Sequence, residues 1–288
     1  MRAGWPSGVG LGWRAELAGL YDKLPGLRFT EVIAESLASS GRPPGPLTHL
    51  LQRGVTVIPH GIRLSLGGAE PLELERVEFL ARCAETLNAP LVSEHIAFVR
   101  AGDVAAGHLL PVPRTREMVD LLARKIRQVR AALPVPFAVE PIAALFDWPD
   151  DELDEADFLT EILGRTDALL LLDVANLYAN ARNRGADPMA VLDRLPLDRI
   201  AYVHVAGGCE RDGFYHDTHT DPTPSEVLDL VTALCARRPA PGFLLERDGG
   251  YPPGEDLYAE LDAIADAAGH PRITTAGSVS RHDTPLTP

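Results

Sequence analysis

The strongest constraint in this sequence is an alternation. Eight short apolar runs recur along the chain, and each is followed by a stretch with helical periodicity. The runs are Val9–Gly12, Phe29–Glu35, Thr56–Leu64, Leu91–Ala97, Pro136–Ile142, Leu169–Leu177, Ile200–Ala206 and Gly242–Arg247. Leu169-Leu170-Leu171-Leu172 and Gly242-Phe243-Leu244-Leu245 have no polar side chain to give to solvent, which suits parallel strands covered on both faces. The predicted helices are Ala15–Leu24, Pro46–Arg53, Pro71–Leu87, Arg114–Leu133, Asp154–Leu163, Asp187–Leu195, Pro224–Arg237 and Glu255–Ala268. In the fourth, Met118, Leu122, Ile126, Val129 and Leu133 share one face. In the seventh, Thr223 is expected to cap, with Pro224 at the first helical position and Glu226 completing a capping box.

Alternation of strand and helix requires a parallel sheet with crossovers. Eight units predict an α/β fold closed into a single-domain (β/α)8 TIM barrel, which 288 residues can build. An open doubly wound sheet is the competing fold. Gly8-Val9-Gly10-Leu11-Gly12 is glycine-rich, but its spacing is not that of a dinucleotide loop. Residues 8–269 are assigned to the barrel, 1–7 to an N-terminal extension, and 270–288, rich in Ser, Thr, Pro and Gly, to a disordered tail. The net charge of −14 and the scattered arginines argue against a nucleic-acid partner. No apolar run is long enough to span a membrane, and the N-terminal residues lack a signal core, so no membrane association is expected. Cys83, Cys209 and Cys235 are odd in number and widely spaced, which predicts a reducing, cytoplasmic location.

In barrels of this kind the chemistry sits at the carboxyl ends of the strands. From the second strand onward, each strand or the loop after it carries a carboxylate or an imidazole. In order these are Glu31 and Glu35, His60, His95, Glu140, Asp173, His204 with Asp217 and His219 after it, and Glu246. Glu94 should point away from the barrel if His95 points in, and of Glu31 and Glu35 only the later lies near a strand end. Asn176, three residues past Asp173, could ligate or orient. His49, His108, His270 and His282 receive no role. Ionisable groups in apolar runs cost free energy unless paired or bound to a metal. Several carboxylates aimed at one space could not all stay ionised without cations. Asp, Glu and His suit iron, manganese or zinc, and the set is too large for one ion, so two or three metals are expected.

At these residues the chain resembles the DUF692 family. These are multinuclear non-heme iron-dependent oxidases that modify ribosomally made peptides, and the methanobactin biosynthesis enzyme is a member. The motifs are Gly8-Val9-Gly10-Leu11-Gly12, Pro59-His60-Gly61, Ser93-Glu94-His95, Asp173-Val174-Ala175-Asn176-Leu177-Tyr178, His204-Val205-Ala206-Gly207, Asp217-Thr218-His219 and Leu245-Glu246-Arg247-Asp248. The resemblance implies a TIM barrel whose metal-ligand positions match His60, His95, Glu140, Asp173, Asn176, His204, Asp217, His219 and Glu246. It implies two or three irons of mixed Fe(II)/Fe(III) valence, and O2 as co-substrate. It also implies a cysteine-containing precursor peptide as substrate and a separate peptide-presenting partner protein. The catalytic set is His60, His95, Glu140, Asp173, His204 and Glu246. Departures from the family pattern are Pro141 after Glu140, Ala175, Ser36 after Glu35, and Gly207-Gly208-Cys209; none removes a proposed ligand. The alternative is a zinc- or manganese-dependent sugar isomerase, or an endonuclease IV-like hydrolase, on a similar barrel with the metal as Lewis acid. A non-catalytic metal scaffold that binds a peptide is a third reading.

Overall fold

Parallel strands that cannot leave a face in water must be covered on both, and the chain does this by closing its sheet. The structure, a computed structural model, describes residues 5–238 and 242–275. In chain order the strands are β1 (Gly8–Gly12), β2 (Phe29–Ile33), β3 (Thr56–Gly61), β4 (Val92–Ile96), β5 (Phe98–Ala101), β6 (Val104–Leu110), β7 (Phe137–Pro141), β8 (Leu169–Asp173), β9 (Ile200–Val205), β10 (Cys209–Arg211), β11 (Phe214–His216) and β12 (Gly242–Leu245). β1, β12, β9, β8, β7, β4, β3 and β2 pair side by side in a closed barrel, all in parallel. The chain is therefore the single-domain (β/α)8 barrel that the alternation predicts.

The helices are α1 (Gly45–Gln52), α2 (Leu74–Leu87), α3 (Arg116–Ala132), α4 (Glu155–Thr166), α5 (Val174–Arg184), α6 (Pro188–Arg194), α7 (Ser225–Arg237) and α8 (Gly254–Ala268). Two layers of apolar packing result. Phe29, Ile58, Leu91, Ala138, Leu171, Tyr202 and Leu244 fill the barrel interior. A larger cluster, including Val119, Leu122, Ile126, Leu230 and Leu261, lies between strands and helices.

Several elements differ from their predicted form. The helix after β1 is a 3-10 helix, Ala15–Lys23. The apolar run Leu169–Leu177 is not one strand, because β8 ends at Asp173 and α5 starts at the next residue. α7 lacks the expected capping box: Thr223 Oγ1 donates to Glu260 Oε1 at 2.7 Å, and Pro224 stands at the cap. Two antiparallel hairpins, β5–β6 and β10–β11, are inserted after β4 and β9. Part of the stretch expected to be a disordered tail is packed. Ile273 is buried, and its carbonyl accepts from Gly26 N at 3.0 Å. Residues 1–4 and 276–288, where the extension and the rest of the tail were expected, lie outside the described residues. Among those described, no helix is long and apolar enough to cross a membrane.

The floor of the barrel depends on a missing side chain. A Cβ at Gly10 would lie 2.8 Å from the Phe29 carbonyl oxygen and 2.9 Å from the Phe29 ring. Gly10→Ala therefore forces Phe29 or its strand to shift. We expect a loss of about 1–3 kcal/mol, the cost of overpacking a close-packed core. A urea midpoint equal to wild type would contradict this account of the floor.

Candidate metal centre

The strands deliver their ionisable residues to one rim. Glu31 (β2), His60 (β3), His95 (β4), Glu140 (β7), Asp173 (β8), His204 (β9) and Glu246 (just after β12) gather at the carboxyl ends. His219, from the loop after β11, joins them. Four overlapping groups have ligand-capable atoms within 4.8 Å of one another: His60, His95 and Glu140; Glu31, His204 and Glu246; Glu140, Asp173 and His204; Asp173, His219 and Glu246. Asp217 joins through His219, with Oδ2 2.6 Å from Nε2. Asn176 lines the same cavity and donates its amide to the Pro141 carbonyl at 3.2 Å.

The first group is a triangle. His60 Nε2 and His95 Nε2 are 3.3 Å apart, and Glu140 Oε2 lies 3.4 Å from the first and 3.3 Å from the second. Ligand bonds of about 2.1 Å place neighbouring donor atoms of a tetrahedral ion about 3.4 Å apart, so the spacing fits a cation. Glu140 Oε1 is also 3.2 Å from His204 Nδ1.

A buried hydrogen-bond chain orients the two innermost histidines. His204 Nε2 lies 3.0 Å from Glu31 Oε2, and the Tyr202 hydroxyl donates to the same oxygen. Tyr202 has one proton, so Ser93 Oγ, 2.7 Å away, must donate to it. His60 Nδ1, 2.8 Å from Ser93 Oγ, must then be the next donor. With Glu31 as the final acceptor, His60 donates from Nδ1 and His204 from Nε2. The opposite nitrogens, His60 Nε2 and His204 Nδ1, face the cluster. Burial, followed by Glu31, pushes the Tyr202 phenol well above its usual range and keeps it a donor.

The electrostatics are those of a crowded, cation-poor site. Burial, then the neighbouring Asp217, pushes Asp173 up to about 7, although His219 opposes this. Burial lowers His60. Burial also disfavours charge on His95, but Glu140 and then Glu94 outweigh it and raise it to about 9. His204 and His219 rise well above the usual histidine range despite burial, His204 through Glu31 and Glu140 and His219 through Asp217 and Glu246. Glu140 Oε2, Asp173 Oδ2, His204 Nδ1 and Asp217 Oδ1 are buried without a well-formed hydrogen bond. Such atoms are costly unless something else satisfies them.

Local structure explains two placements. Asp173 is the N-cap of α5: its Oδ1 accepts from Ala175 N at 2.6 Å and Asn176 N at 3.0 Å, leaving Oδ2 for the cluster. His219 sits at φ 55°, a strained backbone for a residue with a Cβ. It is held there by its N–H on Gly207 O and by Asp248 N on its carbonyl. Gly207 lets the following part of this loop pack closely, because a Cβ there would lie 2.1 Å from Asp221 O.

Two acidic residues exchange the places expected for them. Glu31, the earlier of the pair on β2, faces the barrel and touches His204. Glu35 lies in a 3-10 turn beyond the strand, where it accepts from Ile62 N at 3.1 Å and does not join the cluster. Glu94 points away from the barrel as expected. It accepts from Arg63 N, Leu64 N and His95 N, fixing the loop after β3.

The sequence alone gives Arg14 and Tyr202 no place, shows Ser93 and Asp248 only as members of motifs, and gives His108 no role. Arg14 extends from the end of β1, the one strand read as having no ionisable residue, and pairs with Glu246 Oε1 at 3.1 Å and Asp248. His219 Nδ1 is 3.0 Å from Asp248 Oδ2. His108, on β6, lines a cavity of about 590 Å3 that opens over the cluster.

Tyr202→Phe tests the chain of hydrogen bonds. Without the phenol, Ser93 and Glu31 lose their link and His60 loses the partner that sets its tautomer. Metal affinity is expected to fall about 10–100-fold, as for other groups that orient ligands. Competition with a chromogenic chelator measures it, and an unchanged affinity would remove Tyr202 from the site.

The sequence profile of the RiPP precursor modification enzymes MbnB/TglH/ChrH matches residues 8–269. A UPF0276 protein of Streptomyces avermitilis is 51% identical over 264 residues, covering 89% of this chain and 54% of that protein, so the chain spans about half its length. UPF0276 proteins of Caulobacter vibrioides and Pseudomonas aeruginosa are 32% and 35% identical, covering 88% and 92% of this chain and 92% and 93% of theirs. Among solved structures, a mannonate dehydratase from Streptococcus suis serotype 2 superposes with a TM-score of 0.60 at 13% identity, covering 98% of this chain and 100% of that one. A putative xylose isomerase from Rhodospirillum rubrum gives 0.58 at 17%, covering 91% and 98%. At such identities these neighbours speak to the fold alone.

Proposed function

The chain belongs to the DUF692 family, the RiPP precursor modification enzymes MbnB/TglH/ChrH, and from that premise we propose that it is a multinuclear non-heme iron-dependent oxidase. Its substrate is a cysteine in a ribosomally synthesised precursor peptide, and O2 is the oxidant. The observation that carries this reading is the run of four overlapping ligand groups with buried atoms left unsatisfied. Glu140, Asp173, His204 and Glu246 each belong to two groups, which suits neighbouring ions better than a single one. His60, His95, Glu140, Asp173, His204, Asp217, His219 and Glu246 would hold two or three irons, with Asn176 beside them. Iron, when bound, supplies the one-electron chemistry with O2 that these side chains lack.

The chain's own residues do the rest. Glu31, Tyr202 and Ser93 hold His60 Nε2 and His204 Nδ1 toward the cluster. Arg14 balances Glu246 and Asp248 at the rim. The cavity of about 590 Å3 gives room for a peptide segment to be held beside the cluster. The odd number of widely spaced cysteines fits a reducing cytoplasm, and a separate peptide-presenting partner protein is part of this reading.

The test is metal content per chain on anaerobically purified protein, followed by O2 uptake with a cysteine-bearing peptide and its serine analogue. Iron above one equivalent, and O2 uptake only with the cysteine peptide, are expected. Stoichiometric colourless zinc or manganese with no O2 uptake would favour the isomerase or hydrolase reading instead.

A further inference from the structure

The cavity over the cluster has two unlike ends. One is the carboxylate-rich barrel rim. The other includes Arg63 from the loop after β3, Arg76 from α2 and Arg100 from β5. This is a local cationic wall in a chain of net charge −14.

The wall is built, not incidental. The two oxygens of Glu73 hold Arg76 and Arg100 by their Nε edges, at 2.6 and 2.7 Å. Arg100 Nη1 donates to the Arg63 carbonyl at 2.8 Å, tying β5 to the loop after β3. Among the described residues, both Nη groups of Arg76 and Nη2 of Arg100 make no hydrogen bond, and the exposed Arg63 guanidinium has no hydrogen-bond or ion-pair partner. Arg76 and Arg100 thus share one carboxylate, and Arg63 adds a third guanidinium beside them, with Glu35 and Glu70 acting on Arg63 and Arg100 only through space. Their free edges suit the planar, two-oxygen geometry of another carboxylate, which a guanidinium fork binds better than an ammonium does.

We propose that Arg63, Arg76 and Arg100 form a carboxylate-binding subsite that docks an acidic group of the peptide while its thiol reaches the histidine and carboxylate cluster. The identification of the ligand as a peptide rests on the function proposed above; the anion site itself does not. The carboxylate could be the peptide's C-terminus or an Asp or Glu side chain near the cysteine. The division of labour is physical. Thiol chemistry needs the metal-ligating end, so a carboxylate held at the arginine wall leaves that end to the sulfur and sets the direction in which the substrate lies.

The test uses thiol-free probes, so that binding is read apart from turnover. The full chain is titrated, by fluorescence anisotropy, with three dye-labelled peptides. They are Ala-Ser-Ala with a free C-terminal carboxylate, Ala-Ser-Ala amide, and Ala-Ser-Asp-Ala amide. At least one carboxylate peptide is expected to bind roughly ten- to a hundredfold tighter than the neutral amide, the scale of a charge-assisted hydrogen-bonded pair. Tighter binding of the first points to the chain terminus, and of the third to a side chain. Arg63→Met and Arg76→Met should abolish that preference without weakening the neutral amide. Arg63 is exposed and unpaired, so its variant should fold. Equal affinity for all three peptides, including no measurable binding of any, overturns the subsite. A carboxylate preference that the arginine variants leave intact overturns it as well. If the preference holds but no cysteine peptide supports O2 uptake, the subsite stands and the oxidase reading falls.

Discussion

Glu140→Gln should give a folded protein that has lost metal and nearly all turnover. The substitution keeps the volume and removes one charge. Glu140 is the carboxylate shared by three imidazoles, with oxygens 3.2 Å from His204 Nδ1, 3.3 Å from His95 Nε2 and 3.4 Å from His60 Nε2. Although burial opposes its ionisation, His204 and His95 hold it below the usual carboxylate range, so it is anionic at neutral pH. An amide at this position must turn its nitrogen toward one side of the cluster and offers no negative charge to a cation. Metal-derived stabilisation of several kcal/mol corresponds to about 10²–10⁴ in rate, and a loss of about a thousandfold is expected. Metal analysis and turnover on the same preparation check it. A Glu140→Gln protein with full metal content and full activity would show that Glu140 holds no metal that catalysis needs.

Much of this arrangement is legible in the chain because strand ends in a closed barrel converge whatever the loops do. Knowing that residues such as His60, His95 and His204 follow apolar runs is enough to bring them to one rim. Register within a run is harder to read. Phe29–Glu35 predicts a strand end at Glu35, but β2 stops at Ile33 and Glu35 turns away into a 3-10 turn. The inward residue is Glu31, four positions before Glu35, because strand side chains alternate and Phe29 already faces the interior.

Leu169–Leu177 illustrates a different limit. A short apolar run reads equally as strand or buried helix. What separates the two here is Asp173, a helix cap placed at the last strand residue. That single side chain ends the strand, starts α5 and leaves one oxygen in the cluster. The β10–β11 hairpin did carry a signal: Asp212-Gly213 forms its turn with both residues at positive φ, 55° and 81°. The hydrogen-bond chain through Ser93 and Tyr202 had none, since a serine and a tyrosine inside apolar strands look like ordinary core residues until the partners are placed.

His204→Ala should destabilise the metal-free protein more than any other single change at the rim. His204 is fully buried. It touches Glu31 Oε2 at 3.0 Å, Glu246 Oε2 at 3.1 Å and Glu140 Oε1 at 3.2 Å. Without metal it is the cation these three carboxylates share. Removing it leaves buried negative charge that Arg14, at Glu246, and His95, at Glu140, offset only in part. The expected cost is about 3–5 kcal/mol, or a fall in Tm on the order of 10 °C for a chain of this size. The sign of the pH dependence follows from linkage. The folded pKa of His204 lies above its unfolded value, so its contribution is complete below about 6.5 and is lost as pH rises through the raised folded value. Glu140 and Glu246 are depressed in the folded state, so their share is lost as pH falls through their folded values. The gap between wild type and variant should therefore be widest near neutral pH and close toward acid. Thermal melts of chelator-treated proteins at pH 7 and at a pH below the folded values of Glu140 and Glu246 measure both. Equal melting temperatures at pH 7 would mean that the carboxylates are relieved by some other group, and that the rim can hold its charge without His204.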